Sequence, residues 1–155
     1  MFLDYGPMAG PEMLWRVDAS TRWGMGAIMW EPGAKVAYFV QHRWTARERR
    51  HAFSLQREST GVLEAMAAAI CVLAFARASS GKRVLLEVDH HSLSLAVRRS
   101  YSGNDKMMAE VKKITMAVAR EEIVLRCAHV VGACARDCAH KMWQPCARTR
   151  QCAVI

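Results

Sequence analysis

The stretch from Leu14 to Trp30 limits what this chain can become more than any other. Leu14, Trp15 and Val17, then Ala27, Ile28, Met29 and Trp30, are separated by a turn region carrying Gly24 and Gly26. That is the pattern of two β-strands joined by a glycine-bearing turn. Inside the first strand stands a carboxylate, Asp18. An acid among bulky apolar residues costs stability unless it is paired, hydrogen-bonded or bound to a metal. The fold must therefore bring partners to Asp18.

The rest of the chain reads as alternating elements. Residues 1–12 carry Gly6, Pro7, Gly10 and Pro11 and read as a leader or linker. Strands are expected over 13–19 and 24–31, and a third over 34–41, hairpinned to the second by the Glu31-Pro32-Gly33 turn. A charged loop with Arg43, Arg47, Arg49 and Arg50 follows. The strongest helix spans about 56–78, with Ser54 as its cap and Val62, Met66, Ala69, Ile70, Leu73 and Ala76 as its buried stripe. Glu64 lies within that apolar segment, on a face shared with Ala68, Cys71 and Phe75. Residues 82–89 form a buried-type strand ending in a further acid, Asp89, where α/β proteins place ligand-binding groups. Ser92 is expected to cap a short helix over 93–99, and Asn104 or Asp105 a longer one to about Arg120. Its stripe is Met107, Val111, Ile114 and Val118. A strand at 123–128, a turn from His129 to Gly132 and a helix at 135–144 complete the domain, with 145–155 as a tail. The expected class is α/β: a five-stranded mixed sheet, three antiparallel N-terminal strands plus two later ones, with helices on both faces.

At 155 residues the chain fits one domain. No charge-free apolar run approaches the roughly 20 residues that span a bilayer, and the N-terminus lacks a signal-peptide pattern. The expectation is a protein inside the cell, in cytoplasm or nucleus, with no membrane partner. A net charge of +8 suits a polyanionic partner, and equally a solvated basic surface with no specific partner. The six cysteines are then read as thiols. Cys134, Cys138, His140 and Cys146 lack the paired spacing of a structural zinc site. Cys152-Ala-Val-Ile155 formally resembles a prenylation box, but nothing else in the chain implies a membrane.

Four blocks, in order, resemble the ribonuclease H domains of retroelement polyproteins, which follow the reverse transcriptase. They are Asp18-Ala-Ser20 with Gly24-x-Gly26-Ala27, Leu63-Glu64-Ala-Met-Ala67, Val84-Leu-Leu-Glu-Val-Asp89, and His129-Val-Val-Gly132 followed by Ala139-His140-x-Met142. The resemblance covers about residues 14–144. It implies cleavage of the RNA strand of RNA/DNA hybrids, with Asp18, Glu64 and Asp89 as catalytic carboxylates. These would hold two magnesium ions roughly 3.5–4 Å apart, Asp18 bridging both. Hard oxygen ligands suit magnesium better than the nearby thiols.

At the fourth metal position, where the family usually carries an aspartate, stands His140. A neutral imidazole still ligates but brings no negative charge, so manganese becomes an alternative to magnesium. Asp137, one helical register away, is better explained as a first-turn acid favoured by the helix dipole. His129 matches the family's loop histidine, which the resemblance implies as a proton-handling group; a turn histidine also has a plain structural reading. His90 and His91 follow Asp89 and lie either near the metals or in an ordinary turn. Arg98, Arg99, Lys106, Lys112 and Lys113 form a basic set that would grip phosphates, although solvated helix faces also carry such residues. Two rival readings stay open: a catalytically degenerate nucleic-acid-binding module of a polyprotein, and a nuclease of the same fold acting on DNA.

Overall fold

A computed structural model describes residues 10–53 and 59–131, and the backbone of 152–154. Strands β1 (Met13–Ala19), β2 (Gly24–Trp30) and β3 (Ala37–Arg43) form an antiparallel meander. Helices α1 (Ala46–Phe53) and α2 (Ser59–Phe75) follow, then a 3-10 turn, β4 (Arg83–Val88), α3 (His91–Arg99), α4 (Asp105–Arg120), β5 (Val124–His129) and β6 (Cys152–Val154). The sheet order is β5-β4-β1-β2-β3-β6, with β4 parallel to β1 and β5 parallel to β4. The five expected strands are thus all present in one mixed sheet. A sixth, short strand comes from the stretch read as a tail: β6 runs parallel to β3 and occupies what would otherwise be an open edge.

The core follows from strand alternation. Met13, Trp15 and Val17 of β1, Met25, Ala27 and Met29 of β2, and Val84, Leu86 and Val88 of β4 are buried. They face the helices, with Trp15 tilted against Phe75 of α2 at 6.1 Å between ring centroids. Truncating any one of these large core side chains to alanine costs about 2–5 kcal/mol through lost transfer energy and the cavity left behind. The opposite face is only half-buried, and there Arg16 donates to Glu87 at 2.7 Å and lies over the ring of Trp30. The helix expected at 135–144, and with it His140, Asp137 and Cys134, Cys138 and Cys146, lies outside the described residues. So does Ser54. Among the described residues no helix is long and apolar enough to cross a membrane.

Several local expectations change. The charged segment after β3 is a helix, not a loop. Thr45 and Glu48 form a reciprocal capping box: the Glu48 N–H donates to the Thr45 hydroxyl at 3.2 Å, and the Thr45 N–H to the Glu48 carboxylate at 2.7 Å. The third strand starts later than expected because Gly33, at φ 83°, and the Ala34 N–H bond to the Glu31 carbonyl prolong the turn. Helix α2 is buried nearly all round over Val62 to Ala69, whereas Leu73, assigned to the core stripe, is 52% exposed. The reason is that α2 is roofed on several sides, by α1, α3 and α4, so no single stripe describes it. Helix α3 begins at His91, and its cap is the His90 imidazole, whose Nδ1 accepts from the Leu93 N–H at 3.2 Å, in place of Ser92. Asn104 caps α4 as expected, accepting from Lys106 and Met107.

Cys71 and Cys127 are free thiols inside the core. Burial pushes Cys127 up to about 12, against a smaller opposing pull from Arg98, and holds Cys71 higher still. Thiols held protonated in this way are inert.

Candidate active site

Because β1, β4 and β5 are parallel, their C-terminal ends emerge at the same end of the sheet. Asp18 lies one residue before the end of β1, Asp89 directly after β4, and His129 closes β5. Val17 pairs with Val88, so Asp18 and Asp89 occupy the next step on neighbouring strands, which lie roughly 4.8 Å apart. Glu64 arrives from above, in the second turn of α2. Gly61 makes that approach possible. A Cβ there would stand 3.1 Å from the His90 ring and 3.0 Å from the Met107 methyl, so only glycine lets α2 close on the β4–α3 junction without displacing a neighbour.

The electrostatics identify the three acids as one group. Glu64 is 5% exposed. Burial is the main cause that drives its carboxyl up to about 8, followed by the charges of Asp18 and Asp89, while the Ala19 backbone N–H pulls modestly the other way. Asp18 is half-buried and also raised, by burial first and then by Asp89. Like charges confined near each other in a poorly hydrated place each resist ionisation. One oxygen of Glu64, Oε2, is buried and has no hydrogen-bond partner. An orphaned buried carboxylate oxygen beside two further acids is what a cation would satisfy.

The donor set suits a hard divalent cation, being oxygen from Asp18, Glu64 and Asp89. Among the described residues, no three His, Cys, Asp or Glu side chains gather as the ligands of one ion would. The acids are coupled through charge without closing on a single centre.

His129 stands at the rim, with Nε2 3.9 Å from Asp89 Oδ1 and its ring edge-on to His91 at 5.4 Å. The contact is too long for a hydrogen bond but is an ion pair whenever the ring is protonated. His90 serves as a helix cap, which gives it a structural duty. The basic residues expected to grip phosphate occupy separate settings. Lys106 donates to the His51 carbonyl, and Lys113 pairs with Glu110 at 2.8 Å. Arg98 lines a groove of about 1080 Å³ along the β5 edge, while Arg99 and Lys112 are exposed.

The sequence reading missed the surface on the other side of the acids. The β1–β2 turn presents Arg22 and Trp23, and α1 adds exposed Arg47 beside Arg43. The signal was there: Thr45-x-x-Glu48 is a helix start, and it turns a charged loop into a fixed array.

No protein-family model matches the chain, and no curated protein sequence does. Solved structures do. The RNase H1 of the halophilic archaeon Halobacterium salinarum superposes with a TM-score of 0.53 at 10% identity, covering 80% of this chain and 87% of that one. The N-terminal RNase H domain of a Mycobacterium tuberculosis protein, solved as a fusion with maltose binding protein, superposes with a TM-score of 0.60 at 8% identity, covering 80% and 90%. Identity this low speaks to architecture alone, and the architecture is that of a ribonuclease H-like α/β fold.

Proposed function

We propose that this chain is a metal-dependent endonuclease that hydrolyses the RNA strand of RNA/DNA hybrids, with Asp18, Glu64 and Asp89 as its catalytic carboxylates. The observation that carries the reading is Glu64: a buried acid with an unpartnered oxygen, placed against two other acids from two other elements. Such a group is neutralised by a proton or by a cation, and the two acids alongside make it a natural cation ligand.

Bound at these carboxylates, a pair of magnesium ions would supply Lewis acidity to the phosphodiester and a more acidic water to attack it. Manganese becomes the better fit if His140 stands as the fourth ligand. The remaining work belongs to the chain. Asp18 sits on a strand flanked on both sides, by β2 and β4, which fixes its carboxylate at the acid end of the sheet, where it would be one of the residues holding the ions. Glu64 is fixed by a helix packed on several faces. His129, open to solvent on one side and within reach of Asp89, can take up or return a proton as water adds to phosphorus and the bond to the 3′-oxygen breaks. An RNA strand would be distinguished through its 2′-hydroxyls and backbone shape, not its bases. In the retroelement setting that the sequence resembles, the domain would act beside a reverse transcriptase.

The test is cleavage of an end-labelled hybrid, an RNA duplex and a DNA duplex, each with magnesium and with manganese. Hybrid cleavage that disappears in Asp18→Asn is the expected result. Cleavage of the DNA duplex alone would reassign the substrate. A second reading, a module that binds hybrid without cutting it, is favoured by His140 in the place of an acid. Binding without cleavage under either metal would select it.

A further inference from the structure

Resting on that nuclease reading, we infer that the β1–β2 turn and the start of α1 form a platform for an unpaired nucleotide flanking the hybrid. In this arrangement Trp23 stacks on a base, while Arg22, Arg43 and Arg47 hold the adjoining phosphates.

Trp23 is 60% exposed. An exposed indole on a loose loop would mean little, but this turn is fixed from several directions. The Ser20 N–H donates to the Gly24 carbonyl at 2.8 Å, and the Ser20 hydroxyl accepts from the N–H groups of Arg22 and Trp23, each at 3.3 Å. Buried Trp44 adds two bonds: its indole N–H donates to the Ser20 carbonyl at 2.7 Å and its backbone N–H to the Trp23 carbonyl at 3.1 Å. Gly24 is pressed so closely on β3 that a Cβ would stand 2.0 Å from the His42 carbonyl oxygen. The turn is therefore preorganised, and little backbone entropy remains to be lost when a ligand settles on it.

The cationic side is equally fixed. Arg43 lies opposite Gly24 in the β2–β3 register, next to the turn. Arg47 follows within the capped first turn of α1, where Glu48 is already engaged by Thr45 and by His42 at 2.9 Å. Arg22, Arg43 and Arg47 are exposed, and among the described residues none of them joins an ion pair. This contrasts with Lys113, which is neutralised by its neighbour Glu110.

Position selects the ligand. The turn starts two residues after Asp18, at the end of the sheet where the acids meet. A strand whose phosphate lies at the carboxylates would continue across it. Within a duplex every base face is already covered by its neighbours, so a fixed indole can stack only on a nucleotide outside the paired region. Base–aromatic stacking accepts any base, which suits an enzyme without sequence preference.

The experiment measures binding of fluorescent hybrids by the 155-residue chain in calcium, blunt-ended or with a four-nucleotide single-stranded extension. The wild type should bind the extended hybrid about tenfold tighter than the blunt one, in line with one stacked base. Trp23→Ala should erase that difference and leave blunt binding unchanged, while Trp23→Phe should keep part of it. Replacing Arg22, Arg43 and Arg47 together by alanine should reduce the dependence of log K on log salt by roughly 1.5–2, as expected for two or three lost phosphate contacts to a single strand. An extension preference that is absent in wild type, or that survives Trp23→Ala, overturns the platform. If such a protein still cleaves hybrid, the nuclease reading stands and only the platform falls; if wild type neither binds nor cleaves any hybrid, both fall.

Discussion

Two glutamates in this protein are buried to the same depth and mean opposite things. Glu64 on α2 is 5% exposed and Glu110 on α4 is 6% exposed. Glu110 has its counter-charge one helical turn away, where Lys113 meets both of its carboxylate oxygens at 2.8 and 3.0 Å. Glu64 has an oxygen with no partner, and its charged neighbours are two more acids. Burial of an acid is thus no mark of a site by itself. The mark is a buried acid that the chain leaves for something else to neutralise.

The largest contrast should appear in activity. Glu64→Gln should lower hybrid cleavage by more than the roughly 10–100-fold that follows loss of an outer-shell partner of a metal site, while Glu110→Gln cuts like wild type. Equal rates for the two variants would make Glu64 a structural residue.

The next contrast is in pH. Burial and the neighbouring acids push the Glu64 carboxyl up to about 8 in the folded protein, against an ordinary value of 4.5 in the unfolded chain. Between those values the native state keeps a proton that the unfolded chain has released. Stability contributed by this protonated carboxyl is present below about 4.5, falls as pH rises toward 8 and is level above it. Asp18, also raised, acts in the same direction. Urea midpoints from pH 5 to 9 in chelator should show this decline, Glu64→Gln should flatten it, and added magnesium should offset it. A midpoint flat across that range in the wild type would refute the coupling.

Lys113→Ala should make Glu110 resemble Glu64. The lysine is half-exposed, so the screened loss is about 1–2 kcal/mol at neutral pH. Denaturant titration at neutral pH reads it directly. The smallest effect is expected at His129, the nearest approach to a counter-charge at the acid end. His129→Ala should slow cleavage about fivefold, and an unchanged rate would leave the histidine a purely packing role.

What could be read from the sequence was whatever local pattern decides. Strand alternation placed β1, β2, β4 and β5 within a residue or two, and Asn104 announced its helix by its side-chain chemistry. Glu64 stood out because charge is rare in a helix built for burial. The failures have non-local causes. Leu73 is outside the core although its spacing is helical, because what covers α2 is decided by three other helices. His90 displaced Ser92 as a cap because an imidazole can accept a backbone N–H just as a hydroxyl can. Helix α1 was hidden by its arginines, which made a capped helix look like a loop. That β6 would complete the sheet beside β3 depends on a pairing over more than a hundred residues, beyond the reach of any local pattern.

The parallel register of β1 with β4 has a kinetic consequence. The β1–β3 meander can form from neighbours in the chain, but Asp18 meets Asp89 only after partners such as Arg16 and Glu87, separated by 71 residues, have found each other. Closing so long a loop is slow and comes late. The seam between β1 and β4 should therefore become protected from hydrogen exchange during refolding only after the β1–β3 meander. Any cleavage of hybrid should appear with that protection, never with the hairpins that precede it. A chain released half-folded would carry all three acids without having brought them together.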